Sequence, residues 1–145
     1  MIMTRLPNSL AYFRPELIAI PAALGGVLTA EVATSMTAPI VIEAANGPTT
    51  GEGAAVFQDK GTIVVPDVLA NAGGVVASYF EWAQDLQGMM WEPELFQRRL
   101  EKTMHNAFDH VWQRHLAWGV ELRDAALAVG VERIAEATEL RGLFP

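Results

Sequence analysis

This 145-residue sequence is missing several features, and each absence narrows the possible functions. It contains no cysteine, so it has neither a disulfide framework nor a thiolate site, and we expect a reduced intracellular compartment. Ten Lys and Arg residues against 17 Asp and Glu give a net charge of −7. That balance disfavours nucleic acid and anionic membranes as partners, because both require basic patches. The opening residues contain no long apolar run, so we expect no signal peptide, no membrane span and a cytoplasmic protein.

The sequence also lacks the motifs of several enzyme classes. It has no glycine-rich phosphate loop, no Ser/His/Asp pattern and no nucleophile elbow. His105, His110 and His115 are spaced five apart, so successive side chains are rotated by about 140° on a helix and cannot share a metal face. We therefore predict that this chain holds no catalytic residue and no metal site.

What is present predicts an α/β fold. Hydrophobic residues make up 51% of the sequence, enough for the core of one domain. Three short apolar runs, at 17–20, 40–43 and 62–65, have the length and composition of buried parallel strands. Helices are predicted between them, at about 27–35 and 51–60, and three more follow, at about 74–86, 93–118 and 121–140. Alternating strands and helices with short links predict right-handed parallel crossovers.

The domain organisation predicted from this pattern is simple. Residues 1–14 have no clear period and are expected to form a flexible tail. Residues 15–145 are expected to form a single domain, with about three parallel strands followed by a C-terminal helical segment. Thr50 is the predicted cap of the second helix and Gly61 its end, while Pro93 opens the long helix that Gly119 ends.

The stretch 66–85 is the centre of the functional interpretation. It follows the third predicted strand and reads as a glycine-rich turn, Asn71-Ala72-Gly73-Gly74, that leads into an amphipathic helix. Asn46 also lies just beyond a predicted strand, so both asparagines are expected at the carboxyl edge of the sheet, where ligands bind in such folds. Their amides suit a ribose hydroxyl or a carboxamide. Asparagine is also a common turn residue, and the residues alone favour that interpretation.

Four motifs follow one another along the chain. They are Ile20-Pro21-Ala22-Ala23-Leu24, EAANGPTT from Glu43 to Thr50, NAGG from Asn71 to Gly74, and ATELRGLFP from Ala137 to Pro145. Together, from about Pro15 onward, they resemble the glutamate/leucine/phenylalanine/valine dehydrogenase family, and in particular the C-terminal part of the NAD(P)-binding domain of its glutamate dehydrogenases. The resemblance implies the second half of a Rossmann-like domain. It also implies that the N-terminal substrate domain, with the catalytic lysine and aspartate, is not in this sequence.

The resemblance also assigns candidate site residues. It implies that Asn46 lies by the nicotinamide ribose and Asn71 beside the nicotinamide, and that Ala22 and Ala23 contact the cofactor, NAD or NADP. It further implies that Val75 lines the substrate side-chain pocket and that Ser78 binds the distal carboxylate of glutamate; a helical serine is otherwise often solvated or back-bonded.

Two positions depart from the family pattern. Ala44 stands where glycine is usual, which adds a methyl close to the cofactor path. Gly51 stands where proline is usual, which loosens the start of a helix.

Three functions are compatible with these expectations. The favoured one is a truncated glutamate dehydrogenase homologue, inactive alone, that acts through assembly as a homo-oligomer or with a related dehydrogenase subunit, because half a sheet exposes an edge strand. The second is the C-terminal piece of an active enzyme that oxidatively deaminates L-glutamate to 2-oxoglutarate. The third is a nucleotide-binding regulatory module.

Overall fold

The structure, a computed structural model, describes residues 17–142. The predicted flexible tail, residues 1–14, lies outside the described residues. The chain divides into two compact units, one up to Asn71 and one from Ala72. The expectation of a single domain stays a prediction.

The first unit is built on a parallel sheet. Its elements are β1 (Ile18–Ala19), α1 (Ala30–Ser35), β2 (Ile40–Ile42), α2 (Gly51–Asp59), β3 (Ile63–Val65) and α3 (Asp67–Ala70). The strands pair in the order β1-β2-β3, all parallel, with Ile18 opposite Ile40 and Ile40 opposite Ile63. Three parallel strands with connecting helices confirm the predicted fold class.

The core of the first unit lies between the sheet and its helices. It consists of buried residues from β2, α1, α2 and the segments beside α1, namely Leu28, Ala33, Met36, Val41 and Phe57. Phe57 is almost wholly buried, and burying a side chain of that size stabilises the fold by about 1.5–3 kcal/mol. At the end of α1, the ammonium of Lys60 donates to the carbonyls of Ala33 (2.8 Å) and Thr34 (3.1 Å). A cation is favourable there because helix carbonyls carry partial negative charge.

Close backbone packing fixes the start of α2. Thr50 caps the helix as predicted, its Oγ1 accepting from the amide of Gly53 at 3.1 Å. Gly53 is buried, and a Cβ at this position would lie 2.1 Å from the carbonyl oxygen of Leu28. Only glycine allows the backbones to approach this closely. The helix ends at Asp59, and Gly61, the predicted stop, follows with a φ of +66°.

The second unit contains only helices. They are α4 (Gly73–Gln87), α5 (Pro93–Trp118) and α6 (Leu122–Arg141). Pro93 opens α5 and Gly119 ends it with φ +63°, both as predicted. The buried apolar residues of this unit lie on α5 and α6, which pack together: Val111, Leu122, Ala125 and Ala126. Across residues 17–142, every helix is too short or too polar to cross a lipid bilayer.

The central stretch differs from the prediction in two details, although its helix α4 begins within one residue of the predicted start. Residues 67–70 form the short helix α3, and Asn71 is the residue that ends it. Gly73 and Gly74 lie in the first turn of α4, and neither has a positive φ. The glycines therefore do not form a turn. Pro66 directly precedes α3, and its fixed φ is compatible with the start of a helix as well as with a loop.

The close approach at Gly53 predicts opposite effects for two neighbouring glycines. Gly53→Ala forces a methyl group onto the Leu28 carbonyl and is expected to lower the free energy of unfolding by about 1–3 kcal/mol. Gly51→Ala adds a methyl that meets nothing within 4 Å, and should stabilise by about 0.5–1 kcal/mol. Urea unfolding of both variants measures the difference. Equal effects would contradict the packing described for α2.

Candidate functional site

The carboxyl ends of the three strands bring three loops of the first unit to one edge of the sheet. Backbone hydrogen bonds join the loops after β1 and β2. The carbonyl of Pro21, after β1, accepts from the amides of Ala44 (3.0 Å) and Ala45 (2.9 Å), after β2. The amide of Gly26 donates to the carbonyl of Gly47 at 2.8 Å. In parallel sheets this edge is where ligands bind.

The two predicted asparagines meet at this edge. Nδ2 of Asn71 donates to Oδ1 of Asn46 at 2.6 Å. Asn46 is exposed and Asn71 is half-buried. Neither Nδ2 of Asn46 nor Oδ1 of Asn71 bonds to another described residue, so the pair presents one donor group and one acceptor to solvent. The sequence interpretation brought these side chains together correctly, whereas their role in cofactor binding stays a prediction.

Beneath the asparagine pair lies a buried carboxylate that the sequence interpretation did not single out. Glu43 directly follows β2 and is 0% exposed. Its Oε1 accepts from the hydroxyl of Thr49 at 2.5 Å, and its Oε2 accepts from the amide of Asp67 at 2.9 Å. The carboxylate of Asp67 in turn accepts from the amide of Gly47 at 2.7 Å. We call Glu43, Gly47, Thr49 and Asp67 the carboxylate network.

The remaining cofactor candidates of the first unit lie in the loop after β1. Ala22 and Ala23 directly follow Pro21, and both are exposed. Ala44, the departure from the family's glycine, has an exposed side chain and a backbone amide bound to Pro21. Their methyl groups offer van der Waals contact to a ligand and no hydrogen bond.

The two substrate candidates lie on α4 of the second unit. Val75 is 75% exposed, and Ser78, three residues further on, is exposed as well. The hydroxyl of Ser78 donates to the carbonyl of Gly74 at 3.1 Å, which is the back-bonded arrangement common for helical serines. A Cβ at Gly74 would meet no atom within 4 Å, so the first turn of α4 leaves open space beside the backbone.

Two of the three α5 histidines make described contacts. Nδ1 of His115 lies 2.5 Å from the carbonyl of Val120, and Nδ1 of His110 lies 2.8 Å from the guanidinium of Arg133. Among residues 17–142, no three His, Cys, Asp or Glu side chains are grouped so that they could hold a metal ion.

Comparison with known proteins identifies the family. Residues 5–142 match the family described as Glutamate/Leucine/Phenylalanine/Valine dehydrogenase. The chain belongs to this family. It is 46% identical over 127 residues to an NAD-specific glutamate dehydrogenase of Clostridioides difficile. The aligned region covers 88% of this chain and 30% of that protein. It is 45% identical over 128 residues to a glutamate dehydrogenase of Thermotoga maritima, covering 88% and 31%. The chain thus spans about a third of the length of these relatives.

Solved structures of family members confirm the Rossmann-like fold. A glutamate dehydrogenase from Peptoniphilus asaccharolyticus matches 86% of this chain and 32% of its own, with a TM-score of 0.81 and 39% identity. A hetero-hexameric glutamate dehydrogenase from Thermus thermophilus, in its Leu-bound form, matches 99% of this chain and 35% of its own, with a TM-score of 0.87 and 37% identity.

The carboxylate network and the asparagine pair should differ in what they contribute to stability. Thr49→Val removes a donor from the buried Glu43 and should lower the free energy of unfolding by about 1–3 kcal/mol. Asn46→Ala breaks a bond in contact with solvent, where water replaces the lost partner, and should cost less than about 1 kcal/mol. Urea unfolding compares the two, with Thr103→Val on the exposed surface of α5 as the control. A larger cost for Asn46→Ala would contradict this division.

Proposed function

We propose that this chain is a glutamate dehydrogenase homologue that provides the nicotinamide-facing edge of an NAD(P) site and one wall of an amino-acid pocket. By itself the 145-residue chain does not oxidise glutamate, and it acts through assembly. The asparagine pair carries this proposal, since two neighbouring amides at the carboxyl edge present a donor and an acceptor outward. That combination matches a carboxamide or a ribose hydroxyl. Ala22 and Ala23 flank the same edge as apolar contacts.

The amino-acid side of the proposal rests on α4. Val75 offers an exposed apolar side chain, and Ser78 can turn its hydroxyl from the Gly74 carbonyl to a carboxylate. The space beside Gly74 leaves room for a ligand next to the helix backbone. These features favour an amino acid with a distal carboxylate.

Hydride transfer requires more than these residues. The pyrophosphate of the cofactor must be held, and a proton acceptor must lie near the α-carbon of the amino acid. The sequence has no glycine-rich phosphate loop. We therefore assign the chain half of a site.

The alternative, that it works as the C-terminal part of an active NAD(P)-dependent glutamate dehydrogenase, is supported by its span of about a third of its relatives. The third possibility, a nucleotide-binding module, would bind its ligand at the same asparagine edge. A cytoplasmic location stays a prediction.

Dinucleotide binding is tested by thermal shift of the purified chain with NADH, NADPH and glutamate. We expect a saturable rise in melting temperature with a dinucleotide, because ligand at 100 times its dissociation constant stabilises the native state by about 2.7 kcal/mol. Asn46→Ala and Asn71→Ala should each reduce that rise, and Asn106→Ala, an exposed asparagine on α5, should not.

Two results would overturn parts of this proposal. A wild-type chain that shows no shift at millimolar dinucleotide has no cofactor half-site. A chain that forms NADH from glutamate and NAD at a rate proportional to enzyme concentration is active alone, which supports the alternative.

Assembly is proposed from the exposed edge of the sheet. Among the described residues β1 pairs with β2 only, and the neighbouring Leu17 and Ile20 are 78% and 57% exposed. An apolar edge strand of this kind favours pairing with another chain. The occupant is either a second copy or a related dehydrogenase subunit.

The oligomeric state is tested by analytical ultracentrifugation at high micromolar concentration. We expect a dimer or larger species that Leu17→Lys and Ile20→Lys shift toward monomer, because a charge on the edge opposes pairing. Leu127→Lys, the same substitution at an exposed leucine of α6, is the control. A wild-type monomer, or dissociation by the control alone, would exclude the β1 edge as the interface.

A further inference from the structure

The carboxylate network lies at the point where two loops of the first unit meet. Glu43 is wholly buried, and a buried carboxylate is stable only when hydrogen-bond donors surround it. Two of its donors come from different loops. The Thr49 hydroxyl belongs to the loop after β2, and the amide of Asp67 begins the helix after β3. The side chain of Glu43 therefore spans the gap between these loops.

Each contact of the network lies close in sequence to one of the two asparagines. Gly47, which follows Asn46, donates its amide to the carboxylate of Asp67 at 2.7 Å. The backbone carbonyl of Asp67 accepts from the amide of Asn71 at 3.0 Å. Hence Gly47, next to Asn46, and the backbone of Asn71 both bind Asp67, whose own amide donates to Glu43.

We propose that Glu43 is a positioning residue for the asparagine pair. Its length, more than its charge, sets the separation of the two loops and so keeps Nδ2 of Asn71 against Oδ1 of Asn46. Glu43 is wholly buried and touches no ligand itself; it acts through Thr49 and Asp67. The proposal rests on the proposed function for its consequence in dinucleotide binding, while the positioning itself is independent of any ligand.

Two substitutions test whether the length or the charge of the Glu43 side chain matters. Gln has the length of Glu, and its amide can donate to the Thr49 oxygen while its carbonyl accepts from the Asp67 amide, so both contacts are kept without the charge. Asp keeps the charge but is one methylene shorter and cannot reach both loops from the end of β2. Glu43→Gln is therefore expected to preserve the asparagine pair, and Glu43→Asp to separate it.

The direct readout is the side-chain amide signals in ¹⁵N NMR spectra of the whole chain. The sequence has only four asparagines, so spectra of Asn46→Ala and Asn71→Ala assign the two signals. We expect Glu43→Gln to leave the Asn71 signal in place and Glu43→Asp to move it toward the position of a solvated amide. A role in stability alone would lower the melting temperature and leave this signal unchanged in the folded protein.

The second readout is the affinity for NADH. Glu43→Asp should weaken binding about tenfold, as expected when one hydrogen bond of the site is lost, whereas Glu43→Gln should change it by less than about threefold. Glu52→Gln and Glu52→Asp make the same chemical changes at an exposed position of α2 and should leave both readouts unchanged.

The outcomes are distinguishable. An unchanged Asn71 signal in Glu43→Asp overturns the proposal, and so does a Glu43→Gln variant that disturbs the signal as much as Glu43→Asp. If Glu43→Asp does not fold, two variants of Thr49 take the place of the two Glu43 variants. Thr49→Ser keeps the hydroxyl and Thr49→Val removes it. Equal spectra for these two variants overturn the proposal. A wild-type chain that binds no NADH refutes the proposed function, and the NMR comparison still decides the positioning role.

Discussion

Glu43 places a carboxylate inside the first unit at the end of β2, where it must be surrounded by donors, and this requirement organises the edge of the sheet. Two of its donors are the hydroxyl of Thr49 and the amide of Asp67, so the contacts of one buried group join two segments separated by a strand and a helix. Asp67 in turn binds Gly47, which follows Asn46, and the backbone amide of Asn71. By the positioning proposal, a wholly buried side chain sets the position of the two exposed amide groups.

Much of this arrangement could be read from the sequence because it depends on local signals. Short β-branched runs gave the three strands, and Thr50, Pro93 and Gly119 marked the helix ends where the structure has them. Motifs at known spacing identified the family, and parallel strands required Asn46 and Asn71 to lie at one edge. Each of these inferences uses residues whose preference for a strand, a helix end or a loop depends little on residues far away in the sequence.

What the sequence did not reveal depends on contacts between distant residues. In the sequence Gly53 cannot be distinguished from any other helix glycine. Only the structure shows that the carbonyl of Leu28 lies next to it. Glu43 resembles an ordinary polar residue at a strand end, although a carboxylate directly after a buried strand, with a threonine six residues later, was a usable signal. The short helix α3 was missed because four residues carry no periodicity that could distinguish a helix from a loop.

The hydrogen bond between the two asparagines also has a cost in chain entropy. It joins residues 25 positions apart, and closing a flexible loop of that length costs about 2.8 kcal/mol beyond a constant term. A solvent-exposed amide pair contributes less than this, below about 1 kcal/mol. The pair cannot hold the loops together by itself, so its geometry exists only as long as the strands and the buried core have already closed the loop. A substitution that loosens the sheet is therefore expected to separate the amides as well.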